Sequence, residues 1–303
     1  MKEIKDTKKY REDIQKAIRR YGHCAEHNYY HYQYYEEDKE KNIFFKLENS
    51  KGILSSYDQK NNFWYLFPSG ILSPKEERFK ILIKFLDYTL KRKKGKKLFV
   101  EVNEDFRKEI LKKLKNLKSY RACSSPFILY WPLYNMSKFD AELGGKEWKK
   151  LRNIKNRFYK QHKVKIIDAE KIPKEELKKI LDVWLKRRNA HDRVEKHYYV
   201  NLIENNLKGV DMAKILIVDG KPCSITAGWK IPNSNNYYSS IGILDYSYEG
   251  LGEVANIEDL KELKRKNYDY VDFGGSDKVL LYFKKKFKPE KIYKTYIFSI
   301  VRK

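Results

Sequence analysis

Asp272-Phe273-Gly274-Gly275-Ser276-Asp277 stands immediately before a basic, aromatic run, Lys278 to Phe287. A double glycine after an apolar strand lets a ligand approach the backbone closely. A helix that follows presents unpaired amides at its N-terminus, with Ser276 or Asp277 as its cap. Such a terminus favours negative charge developing in a substrate or an intermediate. These residue types in this order suit acyl or phosphoryl transfer. Asp272, at the C-terminal end of its strand, is placed to orient or deprotonate an attacking group, or to cap the next helix. The same pattern also serves as a plain strand-to-helix turn whose lysines keep the helix solvated.

Apolar periodicity supplies two similar runs of elements to position these residues. After a helix near Lys8 to Tyr21, strands are expected at Asn42 to Leu47, Gly52 to Tyr57 and Phe63 to Phe67, separated by Asn49-Ser50-Lys51-Gly52 and Gln59-Lys60-Asn61-Asn62 turns. Helical spacing over Lys75 to Lys91, a strand at Leu98 to Val102, a helix over Glu104 to Leu117 and an extended Pro126 to Trp131 complete a β-β-β-α-β-α-β order. Helices at Lys146 to Gln161, Glu175 to Ala190 and Lys196 to Asn206 separate this run from a second. The second comprises strands at Ala213 to Val218, Ser224 to Ile231 and Tyr237 to Leu244, a helix from Gly250 to Lys264, a strand at Tyr268 to Phe273, a helix from Asp277 to Lys286, and Tyr293 to Val301 closing the sheet. Asp219-Gly220 is a strong hairpin signal between its first two strands.

A chain of 303 residues has room for two domains with separate cores. Its 66 Lys and Arg against 41 Asp and Glu leave a net charge of +25, which predicts a polyanionic partner such as RNA, anionic lipid head groups or a nucleotide. Cys24, Cys123 and Cys223 lie far apart with no metal-ligand spacing and read as reduced thiols of an intracellular protein. With no long apolar run and a polar start at Met1 to Asp6, the expectation is a soluble, cytoplasmic chain that a basic face could still hold at an anionic membrane.

Antiparallel strands leading into β-α-β-α-β resemble the Gcn5-related N-acetyltransferase (GNAT) architecture, here in tandem. The expected fold is α+β: two GNAT-like domains, residues 1–135 as support and 136–303 with the active cleft, each a mixed, mostly antiparallel sheet flanked by helices. Asp272-Phe273-Gly274-Gly275 with Phe283-Lys284 and Phe287 is similar to the C-terminal signature of Fem-type peptidoglycan bridge aminoacyltransferases. It is also similar to the catalytic domain of the phosphatidylglycerol lysyltransferase family, whose Leu-Arg and Asn-Arg helix resembles Trp148 to Asn153 with Asn156-Arg157. The membrane-spanning helices typical of the lipid-modifying enzymes and the helical arm of many Fem enzymes are not found in this sequence, which leaves the acceptor open.

The resemblance implies attack of an amine on a thioester or an aminoacyl ester. It places Lys284 near the carbonyl under attack, where an ammonium stabilises the oxyanion. Asp272 would orient or deprotonate the amine, and Glu253 is a second group for binding it. Gly250 and Gly252, in Tyr246 to Glu253, would cradle a phosphate at a helix start in an acyl-CoA enzyme, although Ser247, Tyr248 and Glu249 stand where a basic residue is usual. Arg152 and Arg157 would bind an anionic donor through their forked donors, and Gly274, Gly275 and Phe283 would line the donor site. The implied donor is aminoacyl-tRNA or an acyl-CoA, with no covalently bound cofactor. Basic stretches at Lys146 to Lys165 and Ser276 to Lys303, with Trp148, Phe158, Tyr159, Tyr282, Phe283, Phe287 and Tyr293 among them, suit tRNA or another polyanion. A non-catalytic RNA-binding module on the same scaffold is the alternative of a different class.

Two further groupings carry less chemistry. His23, His27 and His31 share one face if their segment is helical, with Cys24 beside them, but no fourth ligand is fixed by spacing, and no metal site is expected. Cys223 with His191 has the types of a nucleophile and base, yet Cys223 follows Pro222 at a strand start and reads as core.

Overall fold

The computed structural model describes residues 1–123, 126–188 and 195–303. Its first run begins with a short strand, β1 (Lys2–Ile4), and helices α1 (Arg11–Tyr21) and α2 (Tyr29–Tyr34). A meander of β2 (Glu40–Lys46), β3 (Gly52–Asp58) and β4 (Phe63–Leu72) follows, then α3 (Arg78–Leu86), β5 (Lys97–Asn103), α4 (Glu104–Lys115), β6 (Tyr120–Ala122) and β7 (Phe127–Asn135). The middle holds α5 (Lys149–Gln161), β8 (Val164–Asp168), α6 (Lys174–Lys186) and α7 (Lys196–Glu204). The second run is β9 (Met212–Val218), β10 (Lys221–Lys230), β11 (Tyr237–Leu244), α8 (Leu251–Arg265), β12 (Tyr270–Asp272), α9 (Lys278–Lys284) and β13 (Lys291–Arg302).

Local chemistry explains most boundaries. Asn49, Ser50 and Asn62 take left-handed backbone between the meander strands, and Asp219 and Gly220 do so in the β9–β10 hairpin, at φ 51° and 83°. Asn103 caps α4 by accepting from Phe106 N, and Asn28 caps α2 by accepting from Tyr30 N and His31 N. β1, α2, β6 and β8 were not legible: three are short edge strands, and α2 is a tyrosine-rich turn of helix with no apolar period. α6 ends at Lys186, earlier than expected, with Arg187 as its C-cap; the expected end at Ala190 lies outside the described residues.

The strands form one thirteen-stranded sheet in the order β1-β2-β3-β4-β5-β13-β7-β12-β11-β10-β9-β8, with β6 also on β13. Two neighbouring pairs are parallel, β4 with β5 and β11 with β12; the other pairs are antiparallel. β11 meets β12 only at Tyr237–Val271 and Tyr238–Asp272, after which the two strands part.

The last strand does not close the second run on itself. β13 lies between β5 and β7, and β7 in turn borders β12 of the second run. Each run thus lends its final strand to the seam, which leaves no open edge at the centre of the sheet. β13 shows why it serves there: Tyr296, Phe298 and Ile300 enter the core beneath α3 and α4, while Thr295 and Tyr293 alternate onto the opposite face.

Candidate functional site

β12 ends at Asp272, which is buried. Its Oδ1 accepts from Gly274 N at 2.8 Å and its Oδ2 from the Tyr293 hydroxyl at 2.6 Å. Gly274 has φ 79°, a conformation that side chains rarely adopt, and a Cβ on Gly275 would lie about 3.0 to 3.1 Å from Leu129 and Trp131. Gly274 is therefore required by the backbone of the turn, and Gly275 fits tightly against Leu129 and Trp131. Asp277 caps α9 by accepting from Leu280 N at 2.8 Å, while Ser276 pairs its backbone with Tyr130. Lys284 folds back from the end of α9, and its ammonium donates to Phe273 O and, at 3.1 Å, to Gly274 O. The lysine thereby clamps the turn that precedes its own helix.

Burial pushes the Asp272 carboxyl up to about 6, against the opposing effects of Tyr293, the Gly274 amide and the charge of Lys284. Burial pushes Lys284 down to about 8, while Asp272 and Asp277 favour its charged form. At neutral pH both groups are charged in the main, and each lies within reach of its titration.

Asp272 opens onto a cavity of about 390 Å³ at the seam of the sheet, lined also by Glu26, Glu101, Trp131, Tyr293 and Thr295. Glu101 accepts from Thr295 Oγ1 at 2.5 Å, and that hydroxyl accepts from Trp131 Nε1 at 2.8 Å. Burial, then the Asp272 charge, pushes Glu26 up to about 8; burial, then Glu26, pushes Glu101 up to about 8. Glu26 comes from the loop between α1 and α2. Its Oε1 lies 3.7 Å from His31 Nε2, a buried nitrogen with no hydrogen-bond partner, while His31 Nδ1 contacts the Tyr198 hydroxyl at 2.7 Å. Burial pushes His23 down to about 4 and His27 down to about 3, so these nearby imidazoles are neutral at pH 7. Three carboxyl groups thus line one half-open pocket whose lining holds no Lys or Arg. Such a space favours a ligand bearing positive charge.

The remaining expected residues lie elsewhere. Gly250, at φ 89°, precedes α8 and packs on Ile154; Gly252 packs on Leu244 and on Phe283. Glu253 is ion-paired with Lys286 at 2.6 Å, and Arg157 with Glu249 at 2.6 Å. Together these form a second locus at the start of α8, outside the cavity lining. Arg152 donates to Leu143 O and to Gly145 O at 3.1 Å, pinning a loop. Lys284 likewise does not line the cavity; it stands on the turn that borders it.

His23, His27 and His31 do not share a helical face, because the helix begins only at Tyr29. His27 accepts from His23 N and contacts Pro68 O, whereas His31 turns toward Tyr198. Among the described residues no group of three or more His, Cys, Asp or Glu is arranged to hold a metal. Cys223 is buried, and His191 lies outside the described residues. Sequence reasoning missed Glu26, Glu101, Thr295 and Trp131, and took Tyr293 only as an aromatic residue of a basic stretch. One signal was available: Glu101 interrupts the apolar strand Leu98-Phe99-Val100-Glu101-Val102.

A family model for the C-terminal part of phosphatidylglycerol lysyltransferase matches residues 38–299. The chain belongs to this family. Three solved structures share the fold of this lysyltransferase-family chain. L-PGS from Bacillus licheniformis is 15% identical, with a TM-score of 0.67, over 95% of this chain and 90% of that one. FemX is 12% identical, with a TM-score of 0.61, over 98% and 97%. A tandem GNAT protein from the clavulanic acid biosynthesis pathway is 8% identical, with a TM-score of 0.60, over 99% and 98%. No curated protein matches. Asp272, Glu101, Lys284 and Tyr293 fall within the stretch matched to the lysyltransferase family, whereas Glu26 and His31 precede it. No helix among the described residues is long and apolar enough to cross a membrane.

Proposed function

We propose that the chain transfers an aminoacyl group from aminoacyl-tRNA to an amine or hydroxyl acceptor, and that the aminoacyl group is cationic. The observation that carries this reading is the convergence of Glu26, Glu101 and Asp272 on one half-open pocket beside the Gly274-Gly275 turn. An ammonium entering that space would ionise carboxyls that burial otherwise keeps protonated. The cavity volume suits an amino-acid side chain, and the family name specifies lysyl transfer.

In the proposed step an acceptor nitrogen or oxygen attacks the ester carbonyl carbon. A bond from carbon to the acceptor forms, and the ester bond from carbon to the ribose oxygen breaks. Asp272, ionised above pH 6, takes the acceptor proton and returns it to the departing ribose hydroxyl. Lys284 holds the Phe273 and Gly274 carbonyls, and its ammonium lends positive charge to the turn beside the developing oxyanion. The basic surface of α5 and the C-terminal segment supports a tRNA partner through phosphate contacts.

The acyl-CoA reading asks for free cations at the start of α8, where Arg157 and Lys286 are already paired with Glu249 and Glu253. Titration with charged tRNA, deacylated tRNA and acetyl-CoA separates the readings. Preference for charged tRNA, with transfer lost in Lys284→Ala but tRNA binding kept, supports aminoacyl transfer. Acetyl-CoA binding alone moves the reaction to N-acetylation, and binding of any RNA without turnover leaves only a scaffold.

A further inference from the structure

His31 is buried, and its imidazole lies among the rings of Trp229, Tyr35, Tyr198 and Phe67, at centroid distances of 4.8, 5.1, 5.2 and 5.7 Å. An apolar ring would fill this cage and leave no polar atom unpaired. A histidine instead leaves Nε2 buried without a hydrogen-bond partner, an arrangement that costs stability and that native interiors rarely keep without a use. What that nitrogen faces suggests the use. Glu26 Oε1 lies 3.7 Å away, and Glu26 is part of the pocket wall.

The far side of the ring fixes the tautomer. The Tyr198 hydroxyl is buried and lies 2.7 Å from Nδ1, while the Ser240 side chain acts as a donor to it. Its own proton therefore goes to Nδ1, and the ring proton is assigned to Nε2, on the side of Glu26. The titratable groups that face His31 are Tyr35 after α2, Tyr198 from α7, Tyr238 from β11 and Glu26 from the preceding loop; β4 and β10 present Phe67 and Trp229. Burial pushes His31 down to about 3, so the ring is a neutral donor at pH 7.

The loop that carries Glu26 is pinned on both sides. Ala25 O accepts from Trp229 Nε1 at 2.8 Å, and Asn28 Nδ2 donates to Gly209 O at 2.7 Å. The Glu26 carboxyl itself makes no hydrogen bond among the described residues. A movement of about 0.8 Å brings it within hydrogen-bond distance of Nε2.

We propose that His31 is a positioning residue for cation recognition: when a ligand ammonium ionises Glu26, the carboxylate closes on the Nε2 proton of His31, which holds it in place against the ligand. The Glu26 proton passes to solvent, and His31 stays neutral throughout. The buried donor is satisfied only with a cation bound, so a neutral ligand gains nothing from it. This inference rests on the cationic reading of the pocket.

Isothermal titration calorimetry of the full chain with lysinamide and with norleucinamide, whose side chain is neutral, tests it at pH 7 in two buffers of different ionisation enthalpy. The wild type should prefer lysinamide and release about one proton on binding it. His31→Phe, which suits the aromatic cage, should unfold no earlier than the wild type. It should bind lysinamide about ten-fold more weakly and lose most of the proton release, with norleucinamide binding unchanged. His31→Gln, which keeps an N–H donor, should recover most of the lysinamide affinity. Tyr198→Phe, which leaves the cage in place and unlocks the tautomer, should weaken lysinamide alone, by about three-fold. Unchanged affinity and proton release in His31→Phe and Tyr198→Phe, equal losses for both amides, or no recovery in His31→Gln would overturn the proposal and leave the cationic reading standing. A wild type that fails to prefer lysinamide would overturn that reading, and this inference with it.

Discussion

Replacing Asp272 by Asn separates a catalytic carboxylate from a merely structural one, because the structure predicts opposite effects on activity and stability. Asp272 accepts from the Gly274 amide and the Tyr293 hydroxyl. An asparagine oxygen can keep the first bond, and the Tyr293 hydroxyl can rotate to accept from the new amide. The hydrogen-bond loss is therefore small, about 1 kcal/mol. Against it stands relief of the buried charge. The folded carboxyl titrates near 6 rather than 3.8, so its contribution to stability is complete below about 3.8 and is lost as pH rises through about 6. At about 1.4 kcal/mol per pH unit, the charge destabilises the fold at pH 7 by roughly 3 kcal/mol. Asp272→Asn should thus be neutral or stabilising by about 1 to 2 kcal/mol at pH 7 in urea unfolding. Transfer from radiolabelled aminoacyl-tRNA should nevertheless fall by about 10²- to 10⁴-fold, the usual scale for a lost general base. A variant that keeps transfer within about three-fold, or loses several kcal/mol of stability, would refute the reasoning and make Asp272 a structural anchor of the turn.

The pH profile of transfer should rise through about 6 as Asp272 ionises and decline above about 8 as Lys284 deprotonates, measured as kcat/KM across pH 5 to 9.5. Glu26→Gln should stabilise the protein at pH 8.5 and change it little at pH 4.5. A carboxyl raised to about 8 gives up its stability contribution as pH climbs from 4.5 through that value, so denaturant unfolding at the two pH values checks the sign. The same variant should weaken binding of lysinamide about ten-fold or more while leaving the neutral norleucinamide unchanged; equal effects on both would remove Glu26 from ligand recognition. Gly274→Ala and Gly250→Ala should each lose about 1 to 2 kcal/mol, because both positions have positive φ. Transfer should collapse in Gly274→Ala only; a matching collapse in Gly250→Ala would favour the acyl-CoA reading.

Much of the scaffold was legible because its signals are local. Leu82, Phe85 and Leu86 mark α3 by their spacing, and Asn62 and Asp219-Gly220 mark turns by their tolerance of left-handed backbone. The turn from Asp272 through Asp277 stood out because two adjacent glycines and a capping acid serve one local geometry. Arg152 and Arg157 were read as donor ligands from their motif-matching helix and their forked donors; whether each is free or engaged depends on how the Leu143 to Gly145 loop folds back on Arg152 and on Glu249, which is remote in sequence from Arg157. His23, His27 and His31 had regular spacing, but regular spacing places side chains on one face only if the backbone is helical, and this backbone is not before Tyr29.

By itself the sequence determined the order of the main elements, though not β1, α2, β6 or β8, the place of the Gly274 turn and the basic character of the surface, since each depends on near neighbours or on composition. Only the tertiary structure decided that β13 lies in the seam, that Glu26, Glu101 and Asp272 share a cavity, and that Lys284 clamps the turn before its own helix. Strand neighbours are chosen by long-range burial and edge pairing, which local periodicity does not encode. A carboxyl's environment likewise depends on groups hundreds of residues away: Glu26 is an ordinary loop acid in sequence, and becomes a buried one only when the seam closes over it.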